Sequence, residues 1–346
     1  MRALKLTGPG TLELVETPVP DISSSEVLIK VAAAGLCHSD LHILHTDETW
    51  PFYGTTIGHE TAGHIARVGA DVTGIHEGDA VLVNLTAFCG HCRNCITGRT
   101  NLCLVEGGRT TFVKTPGVVS DGGMADYIKA KAIHVDPIGD LDPITAAPLA
   151  DAATTPMHAI NSARHLLTPD ATVVVLAIGG LGHLGLQILK ATTGSRLIAL
   201  DTDDNKLDLA RRLGADVVLP SNSTAAAKIL DDTHGHGADV VFDFVGLPAT
   251  IDLGRAVIAS GGALRIIGLG GGSFTFTADA SGEELPWGVS VQRSNGGSHQ
   301  DQLETIALAQ QHKLTVETTT YPLTHYQQAF HDLQQGTLPG RAVLIP

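Results

Sequence analysis

Short apolar runs broken by Gly, Pro and Asp dominate the first part of the chain. Glu26 to Val31, Ala66 to Val68 and Ala80 to Val83 read as strands of an antiparallel β region with long loops. Near residue 150 the texture changes. Leu149-Ala150-Asp151-Ala152-Ala153-Thr154-Thr155 leads into helix-compatible sequence, and from Thr172 fully apolar runs alternate with longer helical segments. Those runs are Thr172 to Leu176, Leu197 to Leu200, Val217 to Leu219, Val240 to Phe244 and Leu264 to Gly268. Strands apolar on both faces, alternating with helices, predict a doubly wound parallel sheet covered on both sides. A helix is expected over about Asp301 to Gln311, followed by a strand-like tail from Arg341 to Pro346. The tail's β character predicts that it returns to the first region. The fold class is therefore α/β: a discontinuous β-rich domain of residues 1–152 and 293–346 around a parallel-sheet domain of residues 153–292.

At 346 residues, with 43% hydrophobic and 17% charged residues, the chain has the length of two domains and can bury substantial cores. Gly8-Pro9-Gly10 interrupts the N-terminus before an apolar stretch of signal-peptide length develops. No later segment reaches membrane-spanning length, so a cytoplasmic protein with no membrane partner is expected. A formal net charge of −14 repels a polyanion, which argues against nucleic acid as a partner.

The cysteines sharpen this picture. Of the five, Cys89, Cys92, Cys95 and Cys103 fall in one short lobe, residues 89–103, spaced C-x2-C-x2-C-x7-C, and Cys37 stands apart. An odd number clustered this way points to metal ligands over disulfides. Four thiolates at such spacing close a tetrahedron around Zn²⁺ with no position left for water, which makes a structural site. An iron-sulfur cluster is the minor alternative. His91, within the lobe, is expected to face solvent.

Thr172 to Leu176 runs into Ala177-Ile178-Gly179-Gly180-Leu181-Gly182 and then into helical sequence from His183. Strand, glycine turn and helix in that order let free N–H groups at a helix N-terminus meet a pyrophosphate. Ala177 stands where G-x-G-x-x-G has its first glycine, and a Cβ is expected there only if φ stays negative. Asp201 follows about twenty residues past the loop, where an acid binds ribose hydroxyls. Thr202, Asp203 and Asp204 after it offer no cation to a 2′-phosphate, so NAD is expected over NADP. The plainer role for Asp201 is as a helix N-terminal residue.

Gly35-Leu36-Cys37-His38-Ser39-Asp40-Leu41-His42 gathers a thiol, two imidazoles, a hydroxyl and a carboxylate. Gly58-His59-Glu60 supplies a further histidine. A His-Glu zincin motif needs histidines four apart on a helix, whereas His59 and His64 are five apart, so Cys37 with His59 makes the better site. A catalytic zinc takes three protein ligands and leaves one position open. The third ligand must be His, Asp or Glu, and Glu60 and Asp151 are the nearest candidates. Capping the helix that follows is the alternative role for Asp151.

In this order, Cys37, Gly58-His59-Glu60, the four-cysteine lobe, the glycine loop and Asp201 resemble the zinc-dependent medium-chain alcohol dehydrogenases along essentially the whole chain. The resemblance implies a GroES-like catalytic domain around a Rossmann NAD-binding domain, with two zinc ions per subunit. Its catalytic ligand set maps onto Cys37, His59 and Asp151. Asp in place of the more common cysteine is similar to bacterial secondary-alcohol dehydrogenases and aryl-aldehyde reductases. Ser39 and His42 then match the substrate-facing hydroxyl and outer base of a proton relay, Asp40 the acid behind the histidine ligand, and Glu60 the acid behind the metal. The implied cofactor set is His38, Thr155, Gly179, Gly180, Leu181, Gly182, Asp201, Lys206, Gly268, Leu269 and Arg341.

The resemblance implies reversible hydride transfer between NAD and an alcohol. Trp50, Phe52 and Tyr53 either line an apolar substrate pocket, favouring medium or aryl alcohols and their ketones or aldehydes, or pack their own loop. A homotetramer is expected by analogy. Two other functions stay in view. One is a polyol dehydrogenase with Glu60 as a ligand; the other is a non-catalytic NAD-binding zinc protein, which would have no need of a proton path.

Overall fold

The strand Glu26–Leu36 is the spine of one of two compact units in the computed structural model, which describes residues 1–275, 285–336, 338 and 340–346. That unit comprises Met1–Thr154 and Gly296–Pro346; the other is Thr155–Asn295.

In the first unit the spine pairs antiparallel with Glu60–Val68 on one side. On its other side it pairs with Tyr127–Lys131 and, further along, with the returning tail strand Arg341–Ile345. Two irregularities, between Leu28 and Ile29 and between Val31 and Ala33, bend it within one seven-stranded sheet. Val27, Ile29 and Val31 enter a core with Ile65, Val81, Val83, Ile128 and Val135, while Ala34 and Leu36 join Leu4, Leu6, Ile57, Met124 and Leu344. The tail strand lies parallel to Thr318–Pro322, the one parallel pairing in this sheet among the described residues. Glu60–Val68 is longer than the expected Ala66 to Val68, because Thr61 and Ala62 are buried strand positions too.

The second unit holds six parallel strands in the order 217–220, 196–201, 172–176, 238–243, 258–266 and 290–293. In chain order this is 3-2-1-4-5-6, the dinucleotide-binding arrangement, whose topological switch lies beside Thr172–Leu176. Val174, Ile198, Leu200, Val241 and Leu264 form its centre, as the apolar runs predicted. The fifth strand ends at Ile266, so Gly268 lies beyond it.

The expected helix near Asp301 begins earlier, at His299, and runs to Gln310. Ser298 and Asp301 form a reciprocal capping box: the Ser298 N–H donates to Asp301 Oδ2 (2.8 Å) and the Asp301 N–H to Ser298 Oγ (3.2 Å). No helix among the described residues is long and apolar enough to cross a membrane.

Candidate active site

Sheet register assembles the site. Gly35 pairs with Glu60, and Leu36 with Ala342, so the ends of three strands deliver Cys37, Glu60 and Arg341 to one place. Gly35 is needed there: a Cβ on it would stand 2.0 Å from Glu60 Oε2. After Leu36 the backbone turns at Cys37, the N-cap of the short helix His38–Leu44. Asp151 follows the end of the 3₁₀ turn Ala147–Ala150, three residues before the helix Thr154–Ser162 begins.

Cys37, His59, Glu60 and Asp151 are all buried, with one donor atom of each within 4.8 Å of the others. Asp151 Oδ2 lies 3.5 Å from both Cys37 Sγ and His59 Nε2. A tetrahedron with bonds of about 2.0–2.3 Å has edges of about 3.3–3.8 Å, so these spacings suit zinc. His59 Nε2 and Glu60 Oε2 are buried without a hydrogen-bond partner, a costly arrangement unless a cation or ligand meets them.

The surroundings support the same reading. Burial disfavours charge on His59, but Asp40, Asp151 and Cys37 outweigh it and hold its pKa well above the ordinary histidine value. The acids around it are thus arranged for positive charge. Asp40 ties two of the candidate ligands together: Oδ2 accepts the Cys37 N–H (2.9 Å) and Oδ1 lies 3.3 Å from His59 Nδ1. The pair is close enough for charge attraction, although neither Oδ1 nor Nδ1 has a hydrogen-bond partner among the described residues, and it leaves Nε2 facing the other donors. Glu60 Oε1 accepts from Arg341 Nη2 in a buried ion pair. Burial and Asp151 raise the Glu60 pKa against the pull of Arg341. Against the penalty of burial, Glu60, Cys37 and Asp151 raise that of Arg341.

Ser39 Oγ lies 3.8 Å from Cys37 Sγ, and His42 is exposed on the same helix. His38 is also exposed, as is His64 on its strand. Trp50 and Tyr53 pack against the core around Leu4 and Ile57, Phe52 meets Trp50 edge-on at 5.3 Å, and the Tyr53 hydroxyl donates to Asp47 O (2.7 Å).

In the lobe all four sulfurs come from one short segment, residues 89–103. Sγ–Sγ distances are 3.4 Å for Cys92–Cys95, 3.9 Å for Cys89–Cys95 and 4.0 Å for Cys92–Cys103, against roughly 3.8 Å for a tetrahedral ZnS₄ edge. None of the cysteines is in a disulfide. The N–H groups of Cys92 and Glu106 reach the sulfurs of Cys89 and Cys103 at 3.3 and 3.4 Å. Backbone N–H groups of Cys95 and Leu104 draw the Cys92 thiol down to about 6, while burial and the Cys92 and Cys103 sulfurs push Cys95 up to about 12. His91 is exposed, with Nδ1 on Cys89 O at 2.8 Å.

The second unit carries the glycine loop. Ala177 has φ +72°, which corrects the expectation of a negative angle. The left-handed turn is made here in spite of a Cβ, at a cost of about 1–2 kcal/mol. The turn is fixed because Gly182 packs on it: a Cβ at Gly182 would stand 1.8 Å from Ala177 O. Gly185, which the motif did not flag, lies against Phe244, and a Cβ there would stand 2.8 Å from Cζ. Leu181 is the N-cap of the helix Gly182–Thr192. Asp201 Oδ2 accepts the Ile178 N–H (2.7 Å), and Oδ1 accepts those of Thr202 and Asp203 (2.8 and 3.1 Å). The helix cap is Asp203 and not Asp201: its side chain accepts the Asn205 N–H (2.8 Å). Thr155 is buried, Lys206 half-buried, and Gly268 lies flush on the Val245 backbone with Leu269 exposed beside it.

Comparison with known proteins places the chain in a family. Residues 23–140 match the alcohol dehydrogenase GroES-like domain family, and residues 180–311 the zinc-binding dehydrogenase family. The chain is 32% identical to an NAD-dependent alcohol dehydrogenase of Sulfurisphaera tokodaii, over 100% of both chains. It is 31% identical to an L-threonine 3-dehydrogenase of Caldanaerobacter subterraneus, over 96% of this chain and 95% of that one. The crystal structure of the alcohol dehydrogenase from Aeropyrum pernix superposes with a TM-score of 0.90 over 100% of both chains, at 32% identity.

Proposed function

The chain belongs to the zinc-dependent medium-chain alcohol dehydrogenase family, and we propose that it transfers hydride reversibly between NAD and a medium-sized or aryl alcohol. Its substrates are then secondary alcohols and their ketones, or aryl alcohols and their aldehydes. The observation that carries this is the buried group of Cys37, His59 and Asp151, spaced as zinc ligands with Asp40 fixed behind His59. These three would hold Zn²⁺, which supplies a Lewis acid for the alcohol oxygen, made harder by a carboxylate than by a second thiolate.

The chain's own groups do the rest. Thiolate and carboxylate together balance two positive charges, so the site stays neutral. Ser39 takes the proton from the substrate hydroxyl. His42, three residues on along the same helix face and exposed, releases it to water. Trp50, Phe52 and Tyr53 form the apolar side of the substrate pocket in this proposal, which favours aryl and medium substrates over polyols. In this proposal Gly179, Gly180 and Gly182 hold the pyrophosphate, Asp201 and Lys206 hold the adenosine ribose, Thr155 and Leu181 lie behind the nicotinamide, and Gly268 and Leu269 complete the cofactor-binding set. The proposal includes zinc in both cysteine-containing centres and a cytoplasmic homotetramer.

A panel of alcohols and ketones assayed with NAD and with NADP, following nicotinamide absorbance, tests it. NADH should form from secondary and aryl alcohols, with NAD strongly preferred. No reduced nicotinamide from any alcohol, in protein fully loaded with zinc and NAD, would overturn it. A second reading, a polyol dehydrogenase, is favoured by one observation: Glu60 Oε2 is buried, unpartnered and within reach of the other donors. Faster turnover of sugar alcohols than of aryl alcohols would select it.

A further inference from the structure

The helix His299–Gln310 has no part in the chemistry above, yet its inner face is polar. Asp301, Gln302 and Thr305 are buried, and His299, Gln302 and Thr305 follow one another at three-residue spacing along one stripe. Apolar residues would fill such a stripe at less desolvation cost, so its polar contacts call for an explanation.

At one end the stripe grips the four-cysteine lobe. The His299 N–H donates to Thr100 Oγ1 (2.7 Å), between Cys95 and Cys103, and its ring stacks on Phe88, which precedes Cys89, at 5.3 Å and 29°. His299 Nε2–H donates to Asp136 Oδ1 (2.8 Å), and Asp136 Oδ2 accepts from Gln302 Nε2 (2.8 Å) and Asn84 Nδ2 (3.2 Å). At the other end the same segment grips the turn that carries Asp151. Gly297 lies so close to Thr154 that a Cβ would stand 2.4 Å from its Cγ2 and 2.7 Å from its carbonyl oxygen. Thr305, whose hydroxyl donates to Gln302 O (2.8 Å), packs its Oγ1 3.3 Å from Thr154 Oγ1, and the Thr154 hydroxyl donates to Leu149 O (2.8 Å). That last bond closes the loop from Leu149 to Thr154 around Asp151.

We propose that residues 297–305 couple the two metal centres: through the stripe, the ordered four-cysteine lobe holds the Asp151 turn in its ligating position. Gln302 and Thr305 are the positioning residues, acting through Asp136 and Thr154. This rests on the Cys37–His59–Asp151 reading, and its test reads metal affinity instead of turnover.

Cobalt(II) titration separates the centres, because a four-thiolate site and a Cys-His-Asp site absorb differently. Cys103→Ser, which breaks the lobe, should weaken cobalt binding at the Cys37 centre about tenfold, within the usual range of coupling between sites. In a Gln302→Leu/Thr305→Val background the same lesion should change it less than about twofold. Thr305→Ser in place of Thr305→Val should restore the coupling. Equal losses in both backgrounds, or none in either, would overturn the proposal while leaving the metal site standing. If Cys103→Ser does not fold, His299→Ala replaces it with the same two outcomes. A parent protein that shows no Cys-His-Asp cobalt spectrum would overturn the site itself and the coupling with it.

Discussion

The two candidate metal centres of the first unit are built on opposite plans. In the lobe, Cys89 and Cys103 are 14 residues apart and the sulfurs are set by backbone N–H groups, so local chain geometry does nearly all the work. In the buried centre, Cys37 and Asp151 are 114 residues apart, and side chains are held by other side chains: His59 by Asp40, Glu60 by Arg341. A local centre closes on itself and serves stability. A centre assembled from distant strands can instead carry an acid shell tuned for chemistry, at the cost of depending on the whole sheet.

That contrast predicts how each fails. The largest effect is expected at the buried centre: His59→Ala should remove its metal, leave the lobe's in place, and cut turnover by roughly a thousandfold or more, as loss of a metal's charge stabilisation implies. Metal content by mass spectrometry of the native protein checks it, and loss of both metals together would erase the distinction. Next, Cys103→Ser should lower the free energy of unfolding by on the order of a few kcal/mol, because a structural metal contributes folding energy outright. Turnover at saturating zinc should change little. A large fall in turnover with no fall in stability would reverse the roles of the two centres. Third, Asp40→Asn should weaken zinc at the buried centre by about 10–100-fold, the usual cost of losing the acid behind a ligating histidine. Competition with a chelator measures it; an unchanged affinity would mean Asp40 serves only the Cys37 backbone.

The same contrast explains what could be read from the sequence. The lobe was legible because its spacing is its geometry. The parallel sheet was legible because Thr172–Leu176 and its neighbours are apolar on both faces. Cys37 and His59 stood out by type, but their partner did not: residue type alone left Glu60 and Asp151 open, the family resemblance pointed to Asp151, and the fold brings Asp151 to 3.5 Å from both. The Glu60–Arg341 pair depends on register between Glu26–Leu36 and a tail some three hundred residues later, which no local pattern encodes. Ala177 misled for the opposite reason. A rule about Cβ and positive φ is sound locally, and tertiary contact with Gly182 overrides it.

The smallest effect is expected at the seam where the lobe meets the rest of its unit. Asp136 raises the His299 pKa above its ordinary value, through the hydrogen bond first and charge second, with burial opposing. Protonated His299 therefore favours the fold. Its contribution should be complete below the ordinary histidine pKa and should vanish as pH rises through the raised value. His134, whose ring meets Phe88 at 4.8 Å and a tilt of 59°, titrates the opposite way, because burial lowers its pKa; its contribution is present above the ordinary value and fades as pH falls. The two act in opposite directions in the parent protein, so the test is His299→Gln, which keeps a neutral donor toward Asp136. The His299 side chain is 32% exposed, which screens the pair and limits the difference to below about 1 kcal/mol. Urea unfolding across the pH range should show the variant less stable in acid and equal to the parent in alkali. A gap of the same size at every pH would mean that the seam is held by packing on Phe88 and not by charge.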